Sequence, residues 1–293
     1  MISLGGDGRG SGGSGTRPVL IAVPNAINSG AIDIFHLPLE RRVSTIPAPA
    51  LASSPAGSHI GMVMAVNIFF NHHSSGELFV CSGYEDGHVM AFACLGMAKQ
   101  KLFEIEDGRQ ESWKWKMVYS SRPHKEPVLG LDVSLSKNGI FTSSADALLA
   151  VHPVPSTAIA STDSSTGSTI DLPLKVVNSK HAGQQGLRVR LDGRIFATAG
   201  WDSRIRVYSC KTMRELAVLK WHKQGCFVIC FADIDAADDE AVASRDEGAP
   251  QVAMEKQQFS LATIQQQRCR KVQNTHWLVA GSKDGNISLW DIY

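Results

Sequence analysis

The sequence predicts an all-β fold assembled from repeated strand–turn–strand units, and three observations carry that prediction. First, the run Asp284, Gly285, Asn286, Ile287, Ser288, Leu289, Trp290, Asp291 sets a spacing, with Asp at position zero, apolar residues three and five places on, and an aromatic at six. Second, the spacing recurs at Asp202 (Ile205, Val207, Tyr208), Asp146 (Leu149, Val151, His152) and Asp86 (Val89, Ala91, Phe92). Third, each copy follows a short apolar run, so a strand, a tight turn and a second strand repeat along the chain. Unrelated hairpins in a sandwich would have no reason to share one register.

The elements follow in chain order. The first unit is degenerate: strands at 19–23 and 31–35 flank a turn with Ser29 where Asp is expected, and Ile32 and Ile34 keep the apolar register. The second to fifth units place their leading strands at 78–81, 140–141, 195–199 and 278–280. Asp suits the turns because its short side chain accepts hydrogen bonds from nearby backbone N–H groups. Alternating β-branched and aromatic residues suit the strands. Outer strands are expected at 42–46, 115–120, 174–178 and 215–220, but not after the fifth unit. Turn positions 29, 86, 146, 202 and 284 are 57, 60, 56 and 82 residues apart, so insertions of different length separate a constant core.

Units closing on a Trp-Asp pair resemble those of the WD40 β-propeller, whose blades have four strands each. On that resemblance the chain carries five recognisable blade units. The Gly-rich start offers neither an inner strand for the first nor an outer strand for the last. The expectation is a chain that begins in mid-blade, an incomplete ring from a larger, seven-bladed propeller.

Composition narrows the function classes. With 29 basic and 28 acidic residues, no overall field draws nucleic acid or an anionic membrane. No apolar run approaches the roughly 20 residues needed to span a bilayer. The cysteines include no CxxC pair and read as free thiols of a reducing compartment, cytosol or nucleus. Residues 1–16 are expected to be disordered and residues 17–293 to form the propeller, with loop insertions near 156–169 and 233–275. The second insertion is acidic at first and expected to be helical over 255–272. A GxGxxG at 10–15 has no strand before it and no helix after it, so it reads as low complexity.

No enzyme constellation stands out: there is no GxxxxGK[ST], HExxH or nucleophile elbow, and no catalytic, metal or cofactor site is expected. The WD40 resemblance does imply a structural network in each blade, a His, a Ser or Thr, an Asp and a Trp that satisfy one another when buried. Carried over by position, it places His124, Thr142 and Asp146 in the third unit, with His152 at the aromatic position. The fourth has His181, Thr198, Asp202 and Tyr208. The fifth has His222, Asp284 and Trp290, with Ala280 replacing the hydroxyl, and the second keeps Ser82 and Asp86 with Phe92.

Several segments carry a narrower resemblance, among them LIAVPNAINSGAIDIF (20–35), CSGYEDGHVMAF (81–92), KHAGQQGLRVRLDGRIFATAGWDSRIRVYS (180–209) and HWLVAGSKDGNISLWDIY (276–293). They are similar to the fungal ASTRA-associated WD-repeat proteins, whose animal relative is a G-protein β-subunit-like propeller. The resemblance implies a non-enzymatic scaffold subunit, in the nucleus with cytoplasm as a second site, linked to chromatin remodelling and to maturation of phosphatidylinositol-3-kinase-like proteins. The implied partners are a kinase-like pseudokinase, HEAT-repeat adaptors and AAA+ ATPases, without direct nucleic-acid or membrane binding. Two other classes stay open. A substrate receptor of a cullin-type ubiquitin ligase is suggested by WDxR at 201–204, although those residues sit in a turn rather than closing a repeat. A G-protein β-like signalling subunit would ordinarily carry an N-terminal helix, which the Gly-rich start does not resemble.

Overall fold

The computed structural model describes residues 2–3, 19–37, 39–49, 60–71, 77–98, 113–134, 139–154, 172–232, 265, 268 and 275–292. Strands dominate, arranged in five antiparallel sheets in chain order. The first comprises β1 (Ile2–Ser3), β2 (Val19–Pro24), β3 (Ile32–Leu37) and β4 (Arg41–Ile46). The second is β5 (Val63–Asn71), β6 (Glu77–Tyr84), β7 (Val89–Ala98) and β8 (Lys114–Ser121). The third is β9 (Val128–Ser134), β10 (Gly139–Ser144), β11 (Leu148–Pro153) and β12 (Lys175–Asn178). The fourth is β13 (Gln184–Val189), β14 (Ile195–Gly200), β15 (Ile205–Ser209) and β16 (Glu215–Leu219). The fifth has three strands among the described residues: β17 (Cys226–Phe231), β18 (Trp277–Ser282) and β19 (Ile287–Asp291).

The sheets pack face to face as propeller blades do, and the two-residue period of a strand explains how. In β6, Leu78 and Val80 enter the core shared with the first sheet, while Phe79 and Cys81 enter the core shared with the third. In β14, Ile195, Ala197 and Ala199 face the fifth sheet and Phe196 faces the third. The middle strands β10 and β14 are covered on both faces and are buried at every position. The innermost strands β5, β9, β13 and β17 lie side by side in that order. They line a cavity of about 280 Å³ whose walls include Gly130, Gln185, Arg188 and Phe227.

The fifth sheet is half covered. Ile229, Phe231, Leu278 and Ala280 pack on the fourth sheet, whereas Val228, Ile287 and Leu289 on the other face are 65%, 70% and 57% exposed.

Two expectations are corrected. The first sheet does have an innermost strand, because Ile2 and Ser3 pair with Leu20 and Val19. Ladder pairing uses backbone groups, and a two-residue strand needs no long apolar pattern to form one. The first turn is held by Asn25 and Asn28 instead of Ser29: Asn25 Oδ1 accepts from the Ile27 and Asn28 N–H groups at 2.8 and 2.7 Å, and Asn28 Oδ1 from the Gly30 N–H at 3.2 Å. The amide carbonyl of Asn reaches the backbone as the Asp carboxylate does. The rest of the segment 1–16 and the insertion near 156–169 lie outside the described residues. So does nearly all of 233–275, where Gln265 and Arg268 are helical.

Candidate functional site

The turns come first, because they place everything else. In each of the last four units the Asp carboxylate accepts from the backbone N–H two residues on: Asp86 from His88 at 3.1 Å, Asp146 from Leu148 at 2.9 Å, Asp202 from Arg204 at 3.3 Å and Asp284 from Asn286 at 3.1 Å. The residue after each Asp has left-handed backbone, with φ of 91° at Gly87, 67° at Ala147, 63° at Ser203 and 77° at Gly285. Glycine adopts that conformation without steric cost, so Ala147 and Ser203 carry some strain.

The third sheet brings His124, Thr142 and Asp146 together and extends them further than the sequence pattern indicates. His124 Nδ1 lies 3.2 Å from Asp146 Oδ1, and His124 Nε2 lies 3.0 Å from Thr142 Oγ1. Thr142 Oγ1 is also 3.0 Å from His152 Nε2, and His152 Nδ1 is 2.8 Å from Tyr119 Oη, a residue of β8 in the preceding sheet. With both imidazoles neutral, one direction satisfies every atom. Tyr119 donates to His152, His152 Nε2–H to Thr142, Thr142 to His124, and His124 Nδ1–H to the carboxylate. Burial of His152, with the neighbouring His124, pushes its pKa down to about 3, consistent with a neutral ring. Burial tends to raise the Asp146 pKa, but hydrogen bonds from His124 and from the N–H groups of Lys125 and Leu148 outweigh it and hold the carboxyl below its ordinary value. The His124 and Asp146 side chains are 0% and 8% exposed, so this His–Asp pair is sealed between two sheets rather than opened to a cleft.

The fourth sheet does not join its expected residues into one chain. His181 is 44% exposed and stands 3.9 Å from Asp202, while Thr198 donates to Gln184 Oε1 at 2.6 Å. Asp202 instead receives both terminal nitrogens of Arg206, at 3.1 and 2.5 Å. Burial raises the Asp202 pKa, and the Arg206 guanidinium reverses this and lowers it. Gln184 is thus the partner of Thr198 where His181 is expected, and its Nε2 donates to the His181 carbonyl at 3.2 Å. Tyr208 stacks on Phe196 with ring centres 5.0 Å apart.

In the fifth sheet His222 Nε2 lies 2.7 Å from Ser288 Oγ, which also accepts from Trp290 Nε1–H at 2.9 Å. Asp284 keeps to its turn. Ser288 is missing from the sequence expectation, although Ala280 and Ser288 are cross-strand partners. A hydroxyl four residues after the turn Asp, opposite an Ala, is the signal that identifies it. In the second sheet Ser82 is buried, and the Asp86 carboxylate lies 2.7 Å from His88 Nδ1.

Two further polar clusters escape sequence reasoning. Asp33 accepts from Thr45 at 2.6 Å, Asn25 at 2.9 Å and Arg42 at 3.3 Å. Near the inner strands, Asp132 accepts from Asn67 Nδ2 at 3.1 Å and from the Val189 N–H at 2.8 Å, tying β5, β9 and β13 together. Burial raises the Asp132 pKa despite these bonds. The WDxR residues are used internally: Trp201 Nε1 donates to Gln185 at 2.7 Å, and Asp202 is held by Arg206. The arrangement suits a rigid framework, with polar groups pinning turns and blades to one another.

Residues 268–291 match the WD domain, G-beta repeat. The chain is 53% identical over 286 residues to ASTRA-associated protein 1 of Aspergillus niger, covering 94% of this chain and 62% of that protein. It is 38% identical over 351 residues to ASTRA-associated protein 1 of Pyricularia oryzae, covering 94% and 69%. It is 27% identical over 274 residues to the guanine nucleotide-binding protein subunit beta-like protein 1 of Mus musculus, covering 94% and 60%. The chain therefore spans about three fifths of the length of the first of these curated relatives. With a WD40 repeat, propeller-type sheets and likeness along nearly its whole length, the chain belongs to the ASTRA-associated protein 1 family of WD-repeat proteins.

Proposed function

We propose that this chain acts as a non-enzymatic WD-repeat scaffold subunit of the ASTRA complex, in the nucleus, serving chromatin remodelling and the maturation of phosphatidylinositol-3-kinase-like proteins. The observation that carries the reading is 53% identity, across 94% of the chain, to a protein named for its association with ASTRA. The geometry supports the scaffold part: the candidate His–Asp pair of the third sheet is consumed in a buried network. Fold alone does not assign a partner, since propellers serve many functions through their loops.

Affinity purification of the tagged chain from fungal nuclear extract tests the reading. Recovery of the kinase-like pseudokinase, the HEAT-repeat adaptors and the AAA+ ATPase pair is the expected outcome. Recovery of a cullin ligase adaptor without those subunits would replace it with the substrate-receptor reading.

A further inference from the structure

The turns of Asp202 and Asp284 and the loops leading into β13 and β17 meet in one patch over the fourth and fifth sheets. Trp201 N–H donates to Gly183 O at 3.0 Å, and a side chain at Gly225 would lie 3.1 Å from the Trp201 carbonyl. Lys283 N–H donates to Gly225 O at 2.9 Å. The segments around 180–183, 201–204, 221–225 and 283–286 therefore form one surface. Two indoles stand on it: Trp201 is 48% exposed and Trp221 55% exposed, the latter edge-on to His222 with ring centres 4.9 Å apart. Lys180, Lys223 and Lys283 are exposed around them. The Asp202 charge is taken up by Arg206, whereas the exposed Asp284 carboxylate accepts from the Asn286 N–H of its own turn. Gln185, held by Trp201, also lines the cavity along the inner strands with Phe227 and Val228, so the patch borders that cavity.

Exposed Trp flanked by cations is the composition of an interface rather than of ordinary surface. Lysines around an aromatic centre favour a partner of opposite charge. A nucleic-acid site calls for a continuous basic stripe, and here Asp284 interrupts the lysines in a chain of net charge +1. We infer that this patch docks an acidic peptide segment of a partner protein, anchored by an apolar residue between Trp201 and Trp221. The inference rests on the scaffold reading and specifies its surface.

The test uses the full chain and a fluorescein-labelled synthetic peptide of Glu and Asp residues around one Phe, followed by anisotropy at low salt. Affinity should fall roughly tenfold in the triple variant K180E/K223E/K283E and in Trp221→Ala. It should not change in the charge control Lys114→Glu. The side chains altered in the patch are exposed, and unchanged melting temperatures establish that these variants fold. Equal binding by wild type and triple variant would overturn the proposal, as would an equal loss in Lys114→Glu or tighter binding of a uridine oligonucleotide. Capture of ASTRA subunits from extract separates the two readings. Capture by wild type and loss in the triple variant supports both. Equal capture overturns the patch and leaves the scaffold, whereas no capture by wild type counts against the scaffold reading itself.

Discussion

Ala280 and Ser288 face each other across β18 and β19, and the hydroxyl that the third sheet carries on Thr142 stands, in the fifth, on the opposite strand. Thr142 is paired with Ala150, so the two sheets hold the same two residue sizes in exchanged places. Both hydroxyls meet the ring of the loop histidine, through His124 Nε2 in one sheet and His222 Nε2 in the other.

Thr142→Val is expected to destabilise more than Ser288→Ala. The first leaves both His124 Nε2 and His152 Nε2 without partners in a sealed site, at about 1–3 kcal/mol for each unpaired group. The second strands His222 Nε2 and Trp290 Nε1, and Trp290, only partly buried, lies nearer to water than the sealed histidines of the third sheet. Urea denaturation of the two variants checks the order, and equal midpoints would contradict it.

Stability should depend on pH through His152. An unfolded histidine takes up a proton near 6.5, whereas the buried ring does so only near 3. Between those values the unfolded state binds the extra proton. The stability present in full above 6.5 is therefore lost, as pH falls towards 3, at roughly 1.4 kcal/mol per pH unit. His36, buried and also lowered by desolvation and by the nearby Arg41 charge, acts in the same direction. Comparing His152→Phe with the parent from about pH 7 to about pH 5 should show a shallower slope in the variant. Parallel profiles would show that His152 titrates normally.

The turns make a prediction of opposite sign at equivalent positions. Ala147→Gly and Ser203→Gly relieve left-handed strain and should be neutral to stabilising, by up to about 1 kcal/mol. Gly87→Ala should be strongly destabilising, because its Cβ would lie 2.2 Å from the His124 carbonyl oxygen. Thermal melts of the three variants read the signs directly.

What was legible in the sequence is what repeats locally. The Asp at each turn, and the apolar residues three and five places on, fixed the strand register because the turn bond spans two residues and side chains alternate with period two. The outer strands expected at 42–46 and 215–220 appear as β4 and β16. What depended on contacts between sheets was not legible. Tyr119 completes the His152 site from the preceding sheet, Asp132 joins three inner strands, and Gln184 displaces His181 from Thr198. None of these follows from spacing within one unit.

The two faces of the fifth sheet should respond differently to substitution. Leu278→Ala opens the core shared with the fourth sheet and should cost about 2–5 kcal/mol. Ile287→Thr and Leu289→Thr alter exposed positions and should stay within about 0.5 kcal/mol of the parent. A large loss from the threonine pair would show that this face is covered in the folded chain.

The scaffold claim is tested most directly by depletion and add-back. In fungal cells depleted of the endogenous family member, the kinase-like pseudokinase recovered with the HEAT-repeat adaptors should fall. Supplying this chain, which lacks any proposed turnover, should restore it. Unchanged recovery after depletion would contradict the claim that this propeller holds the assembly together.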